Sequence, residues 1–265
     1  MIKINKETNI KILSTIPEPF IFNHEEYKID KNLTGKNVKL AIIDSGFPIH
    51  RSIKNPVEKI SFCDNDDKIE DNFGHSSMIT GIIVSNNKKS IKGIAPNTKL
   101  YFAKTVNYNG ECDFNSLVAA ILWAVVKKVN IILLSLGSQV DYPLLHDAIK
   151  KAYESKICII TASGNNTKNK NIDFPARYEE TLSVANITRN VNYNKIIKKE
   201  ADIIMRENSF YTTYLNDTYI KASGSSMSAA FVAGITSLII EKYIKERKRI
   251  IPKNIYNILK KIKFN

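Results

Sequence analysis

Val38-Lys39-Leu40-Ala41-Ile42-Ile43-Asp44-Ser45-Gly46 decides the fold of this 265-residue chain. Its apolar run is nearly continuous rather than alternating, as a strand covered on both faces requires, and it ends in an acid followed by a turn. Similar short runs recur at 99–103, 131–136, 157–162 and 181–185. Helical patterns lie between them. Across Asn115 to Val129, apolar residues fall at Leu117, Val118, Ile121, Leu122, Val125, Val126 and Val129, which predicts a helix with one face in the core. Strands alternating with helices predict an α/β fold built as a three-layer, doubly wound, mostly parallel sheet. In that architecture ligands gather at the carboxyl ends of strands, where Asp44 falls.

A second stretch, Lys221-Ala222-Ser223-Gly224-Ser225-Ser226-Met227-Ser228-Ala229-Ala230-Phe231-Val232-Ala233-Gly234, runs from a flexible turn into a small-residue helix. A serine hydroxyl at a helix start lies near unpaired backbone N–H groups that can hold negative charge on a substrate oxygen. Such a nucleophile needs a base. Of four histidines, His24 lies in polar surroundings, His50 in a loop after Pro48, and His146 after two leucines with no glycine turn. His75 differs, because in Asn72-Phe73-Gly74-His75-Ser76-Ser77-Met78 a glycine turn delivers it to the first turn of an apolar helix. Asp44, at its strand end, is suited to orient that imidazole.

On these residues the chain resembles the subtilisin-like serine peptidases, which carry Asp, His and Ser in that order. The likeness runs over about residues 33 to 245. It implies an endopeptidase with Asp44, His75 and Ser226 as catalytic residues. Ile159-Ile160-Thr161-Ala162-Ser163-Gly164-Asn165 resembles the strand that leads to the family's oxyanion-hole asparagine, which implies that Asn165 stabilises the oxyanion. Leu134-Ser135-Leu136-Gly137 resembles the edge that pairs with substrate backbone, so Ser135, Leu136 and Gly137, with Gly164, are the implied substrate-binding residues. Asn171-Ile172-Asp173-Phe174-Pro175-Ala176-Arg177-Tyr178 resembles the family's aromatic-Pro turn, which puts Asp173 near the floor of the S1 pocket. A carboxylate there would pair with arginine or lysine at P1. The open alternative is a loop aspartate paired with Arg177.

Departures from the family pattern leave the reactive groups in place. Ser225 stands where threonine is usual, Ala230-Phe231 where Pro-His is usual, and Ser76 where glycine is usual. The loop 85–90, where many relatives bind calcium, holds two lysines and no carboxylate, a poor cage for a hard cation. No metal and no cofactor are expected.

Residues 1–32 are read as an N-terminal arm and 33–265 as one peptidase domain. Within the arm, Ile16-Pro17-Glu18-Pro19-Phe20 suggests either a short inhibitory strand across the site or a surface-docked arm. The polar, lysine-rich segment from Asn186 to Ile220 is read as a remodelled surface loop and hairpin, and Ile251 to Phe264 as a packed helix with Ile255, Leu259 and Ile262 as its stripe. Cys63, Cys112 and Cys158 show no CxxC spacing and are read as free thiols. Neither a signal peptide nor a span long enough to cross a bilayer is recognised, and the expected location is the cytoplasm. So short an arm also implies no folding prodomain.

The net charge of +13 suits an acidic partner, though lysine- and asparagine-rich codon usage accounts for part of it. A short subtilase of this kind resembles the intracellular peptidases that remove acidic leader peptides from lanthipeptide precursors. General intracellular turnover fits the same core motifs, and a catalytically silent basic binding protein is a third reading. Basic residues are dispersed without a nucleic-acid motif, so the expected partner is a peptide or protein substrate, with neither nucleic acid nor membrane, and the chain is expected as a monomer.

Overall fold

The continuous apolar runs become the parallel strands of a computed structural model that describes residues 2–3, 11–13, 20–63, 68–87, 91–206 and 209–264. The first half of the chain contains β1 (Ile2–Lys3), β2 (Lys11–Leu13), β3 (Phe20–Ile21), β4 (Lys39–Asp44), β5 (Glu58–Ser61), α1 (His75–Val84), β6 (Ile91–Lys92), β7 (Lys99–Lys104), β8 (Glu111–Cys112), α2 (Phe114–Val126) and β9 (Ile131–Leu134). The second half contains α3 (Pro143–Glu154), β10 (Cys158–Ala162), β11 (Leu182–Asn186), α4 (Val191–Glu200), β12 (Ile203–Met205), β13 (Ser209–Thr213), β14 (Tyr219–Ser223), α5 (Ser225–Lys245) and α6 (Pro252–Leu259).

Seven strands form the main sheet in the order β12-β11-β10-β9-β4-β7-β5, every pairing parallel. Strand β4 has β7 on one side and β9 on the other, so the chain reverses its direction of travel across the sheet there. Side chains alternate between faces along a strand. Leu40, Ile42, Leu133, Ile160 and Val184 therefore face one core, shared with α1, α5 and α6. Ala41, Ile43, Ile132, Leu134 and Ile159 face the other, shared with α2 and α3. The three layers follow from this alternation.

Several sequence expectations need correction. Helix α2 buries Leu117, Ala120, Ile121 and Ala124, whereas Val126 is 74% exposed and Val129 lies beyond the helix. Alanines make the close contact, and Val126 falls on the solvent face. The segment from Asn186 to Ile220 is more than loop and hairpin: α4 buries Tyr193 and Ile197, and β12 extends the main sheet. Helix α5 is long and apolar enough to cross a membrane, contrary to the sequence reading, with mean hydropathy 1.4 over an 18-residue window, but 83% of that window is buried in the protein interior. Toward the C-terminus, Ile255 and Leu259 pack as expected, while Ile262 follows the end of α6.

The described parts of residues 1–32 pair with the rest of the domain. Strand β1 runs antiparallel to β8, β2 to β14, and β3 parallel to β6. Ile2 is buried opposite Cys112 and joins the core that contains Val106 and Leu136. Two polar anchors hold the end of the domain away from the strand termini. One oxygen of Glu241 accepts the backbone N–H groups of Thr34, Gly35 and Lys36 while Lys245 meets the other. The buried Tyr256 phenol accepts the Ile159 N–H at 2.7 Å.

Candidate active site

Strand parity aims Asp44 at the face that α1 and α5 cover, since Leu40 and Ile42 already point there. His75 opens α1 and meets it: Nδ1 lies 2.9 Å from both Asp44 oxygens, and both side chains are almost wholly buried. The Ser45 N–H also donates to the Asp44 carboxylate, at 2.7 Å. An acceptor-only carboxylate at Nδ1 keeps the proton there and gives Nε2 the lone pair, the tautomer a base requires.

The start of α1 is held by a residue the sequence reading passed over. Asp71 is buried and accepts from the N–H groups of Phe73, Gly74 and Ser77 and from the hydroxyls of Ser77 and Ser45. The Ser45 hydroxyl in turn accepts the Ser76 N–H. Gly74 adopts φ 94°, and the Tyr214 ring packs where a side chain would be, so only glycine fits. The signal was present as an acid four residues before His75, within the same loop.

Ser226 lies in the first turn of α5, which packs along α1. Its hydroxyl donates to the Ser135 carbonyl at 3.3 Å, and the Ser135 hydroxyl donates back to the Ser226 carbonyl at 3.5 Å. The segment following β9 is thereby tied to the start of α5. Asn165, exposed just past β10, accepts the Ser225 N–H through its side-chain oxygen at 2.9 Å. That contact fixes which end of the amide is oxygen and presents Nδ2 as the donor end.

Asp173 is half-buried between two glycines: a Cβ on Gly137 would meet its Cβ at 2.7 Å, and one on Gly164 would collide with Oδ2. Gln139 Nε2 donates to Oδ1 at 2.6 Å and Asn169 Nδ2 at 3.0 Å. Burial pushes this carboxyl above the usual carboxylate range, although both amides pull it down. Among the described residues no cation pairs with it. Arg177 instead stacks on the Phe174 ring, 4.5 Å from its centre, which removes the alternative of an Asp173–Arg177 pair. The walls around Asp173 are joined by an antiparallel bridge, Ser138 N–H to the Phe174 carbonyl at 2.9 Å and Phe174 N–H to the Ser138 carbonyl at 2.7 Å. Behind Gly164, the buried Tyr193 of α4 donates to its carbonyl at 2.7 Å.

The other histidines are occupied with structural contacts. His50 accepts the Ser52 N–H at Nδ1 and donates to the Thr218 carbonyl, His146 stacks on Tyr178 and meets Glu180, and His24 packs edge-on to Phe22. None of the three cysteines is in a disulfide; Cys112 and Cys158 are buried, and burial raises the Cys112 thiol to about 12. Phe231, one of the departures from the family pattern, packs against Phe22, Tyr27 and Phe210. Among the described residues no three His, Cys, Asp or Glu side chains converge as a metal ion would need. Residues 88–90 of the loop discussed for calcium, and 16–19 of the suggested inhibitory strand, lie outside the described residues.

Comparison with known proteins gives this arrangement its context. Over 215 residues the chain is 33% identical to the minor extracellular protease Epr of Bacillus subtilis, covering 79% of this chain and 33% of that protein. It is 31% identical to subtilisin DY of Bacillus licheniformis, covering 79% of this chain and 78% of the relative. It is also 31% identical to the major intracellular serine protease of Bacillus subtilis, over 79% of this chain and 70% of that protein. Residues 35–257 match the subtilase family, and the chain belongs to that family of serine endopeptidases.

Proposed function

We propose that Asp44, His75 and Ser226 are the reacting triad of this endopeptidase, that it cuts after arginine or lysine, and that it removes an acidic leader peptide from a lanthipeptide precursor inside the cell. The observation that carries the chemistry is the buried His75 Nδ1 held at 2.9 Å by both oxygens of Asp44. Ser226 Oγ turns from the Ser135 carbonyl, gives its proton to His75 Nε2 and bonds to the substrate carbonyl carbon. Asn165 Nδ2 and the Ser226 N–H hold the oxyanion. Collapse breaks the C–N bond as His75 protonates the leaving amine. Water then adds to the acyl group with its proton passing to His75, and loss of Ser226 Oγ, reprotonated by His75, frees the acid.

Basic P1 specificity is supported by Asp173, a half-buried carboxylate with no cation partner among the described residues, beside Gly137 and Gly164. The net charge of +13 supports an acidic substrate, steered toward the enzyme in a way that fades with salt. General intracellular turnover is the second reading, favoured by the 31% identity to the major intracellular serine protease. Ser226→Ala should abolish turnover and labelling by a fluorophosphonate probe, and retained turnover would refute the triad. A cleavage profile on a peptide library should be dominated by P1 Arg and Lys. Comparison of an acidic leader peptide with unfolded casein separates the two tasks, because equal rates would favour general turnover. Cell fractionation tests the location.

A further inference from the structure

Asp173 is held in a way that the S1 reading alone does not require. Its Oδ1 takes two amide donors from different loops, Gln139 Nε2 at 2.6 Å and Asn169 Nδ2 at 3.0 Å. Gln139, though exposed itself, also reaches the carbonyls of Asn171 and Ile172 at 3.1 and 3.4 Å, so one NH2 group ties the loop after β9 to the loop that carries Asp173. Oδ2 has no hydrogen-bond partner among the described residues and faces the Gly164 backbone, where a Cβ would collide with it. A carboxylate with one oxygen saturated and the other open presents its charge in one direction.

We infer that Gln139 and Asn169 are positioning residues for P1 specificity, holding Asp173 ionised with Oδ2 turned toward the side chain of a basic P1 residue. The inference rests on the proposed role of Asp173. Both amides donate, and a donor favours the charged form of a carboxyl that burial otherwise drives toward neutrality. The other titratable or charged groups around Asp173 are the Tyr193 phenol, raised by burial to about 12, Glu200, which accepts the Ile172 N–H, and Arg177, which is turned onto Phe174. None of them donates to Asp173.

The test measures kcat and KM on matched peptides with P1 Arg and P1 Leu, across pH, for wild type, Gln139→Met, Asn169→Ala and Asp173→Asn. Gln139→Met keeps the length of the side chain and removes the donor. It is expected to cut kcat/KM for P1 Arg on the order of tenfold, mainly through KM, and to leave P1 Leu unchanged. The acid limb of the P1 Arg profile should move to higher pH, because Asp173 then takes up its proton earlier. Asn169→Ala should act in the same direction. Equal losses on both peptides, or an unmoved acid limb, would overturn the positioning role while a lost Arg preference in Asp173→Asn kept the S1 reading intact. A wild type without preference for P1 Arg or Lys would remove the S1 reading, and the positioning role with it.

Discussion

Asp44 ends a strand of the main sheet and Asp173 lies in a loop beyond one, and among the described residues one carboxylate meets an imidazole while the other meets only neutral amides. Asp44 spends both oxygens on His75 Nδ1 and takes the Ser45 N–H as well. Asp173 has two amides on one oxygen and no cation among the described residues. An acid that orients a base must have its geometry complete before substrate arrives, since any search for that geometry would add to the barrier. An acid that recognises a substrate must keep part of its interaction unspent, because binding energy arises only from contacts made on binding. In the roles proposed for them, the two side chains meet these requirements with the same functional group.

The comparison breaks most visibly at Asp44. Asp44→Asn should lower kcat roughly ten-thousandfold by favouring the wrong imidazole tautomer, equally for basic and apolar P1 peptides. A loss confined to one substrate class would show that Asp44 does more than orient His75. Asn165→Ala sharpens the contrast from the oxyanion side, with kcat expected to fall about a hundred- to a thousandfold for every P1, the range known for this donor in subtilisins. Asp173→Ala should cost roughly ten- to a hundredfold in kcat/KM on P1 Arg or Lys and little on P1 Leu, read in parallel assays. In the wild type, since burial raises the Asp173 pKa, activity on P1 Arg should decline at a higher pH than an ordinary carboxylate would give as the solution is acidified, while the P1 Leu profile lacks that step. The smallest effect belongs far from both acids. Tyr256→Phe leaves the buried Ile159 N–H without its phenol oxygen and should cost about 1 to 3 kcal/mol in denaturant unfolding, with the Arg to Leu preference unchanged.

What the sequence displayed depended on how local each feature is. Strands β4, β7, β9, β10 and β11 were legible because burial on both faces demands unbroken apolar residues, and the proposed Asp44, His75 and Ser226 stood out because each sits at a turn that marks an element boundary. Helix α4 was hidden, since lysines around Ile197 mask the two residues, Tyr193 and Ile197, that it buries. The short pairings of β1, β2 and β3 left no periodic signal, because two or three residues cannot establish one and their partners are distant in the chain. Around Asp173, the residue itself was found from the proline turn two positions on. Its contacts with Gln139 and Asn169 were not, because ordinary polar loop residues meet a carboxylate only when folding brings the loops together.

The bridge between Ser138 and Phe174 has a consequence for how such a pocket diversifies. Its two backbone hydrogen bonds act as a caliper: the gap between the walls is set by main-chain atoms, whatever side chains the neighbours carry. Exchanging the residue at position 173 would then change the chemistry at the bottom of the slot without altering its width. With position 173 in its proposed role, a lineage with this construction could trade one class of cut site for another by a single substitution and leave the reacting end of the sheet untouched.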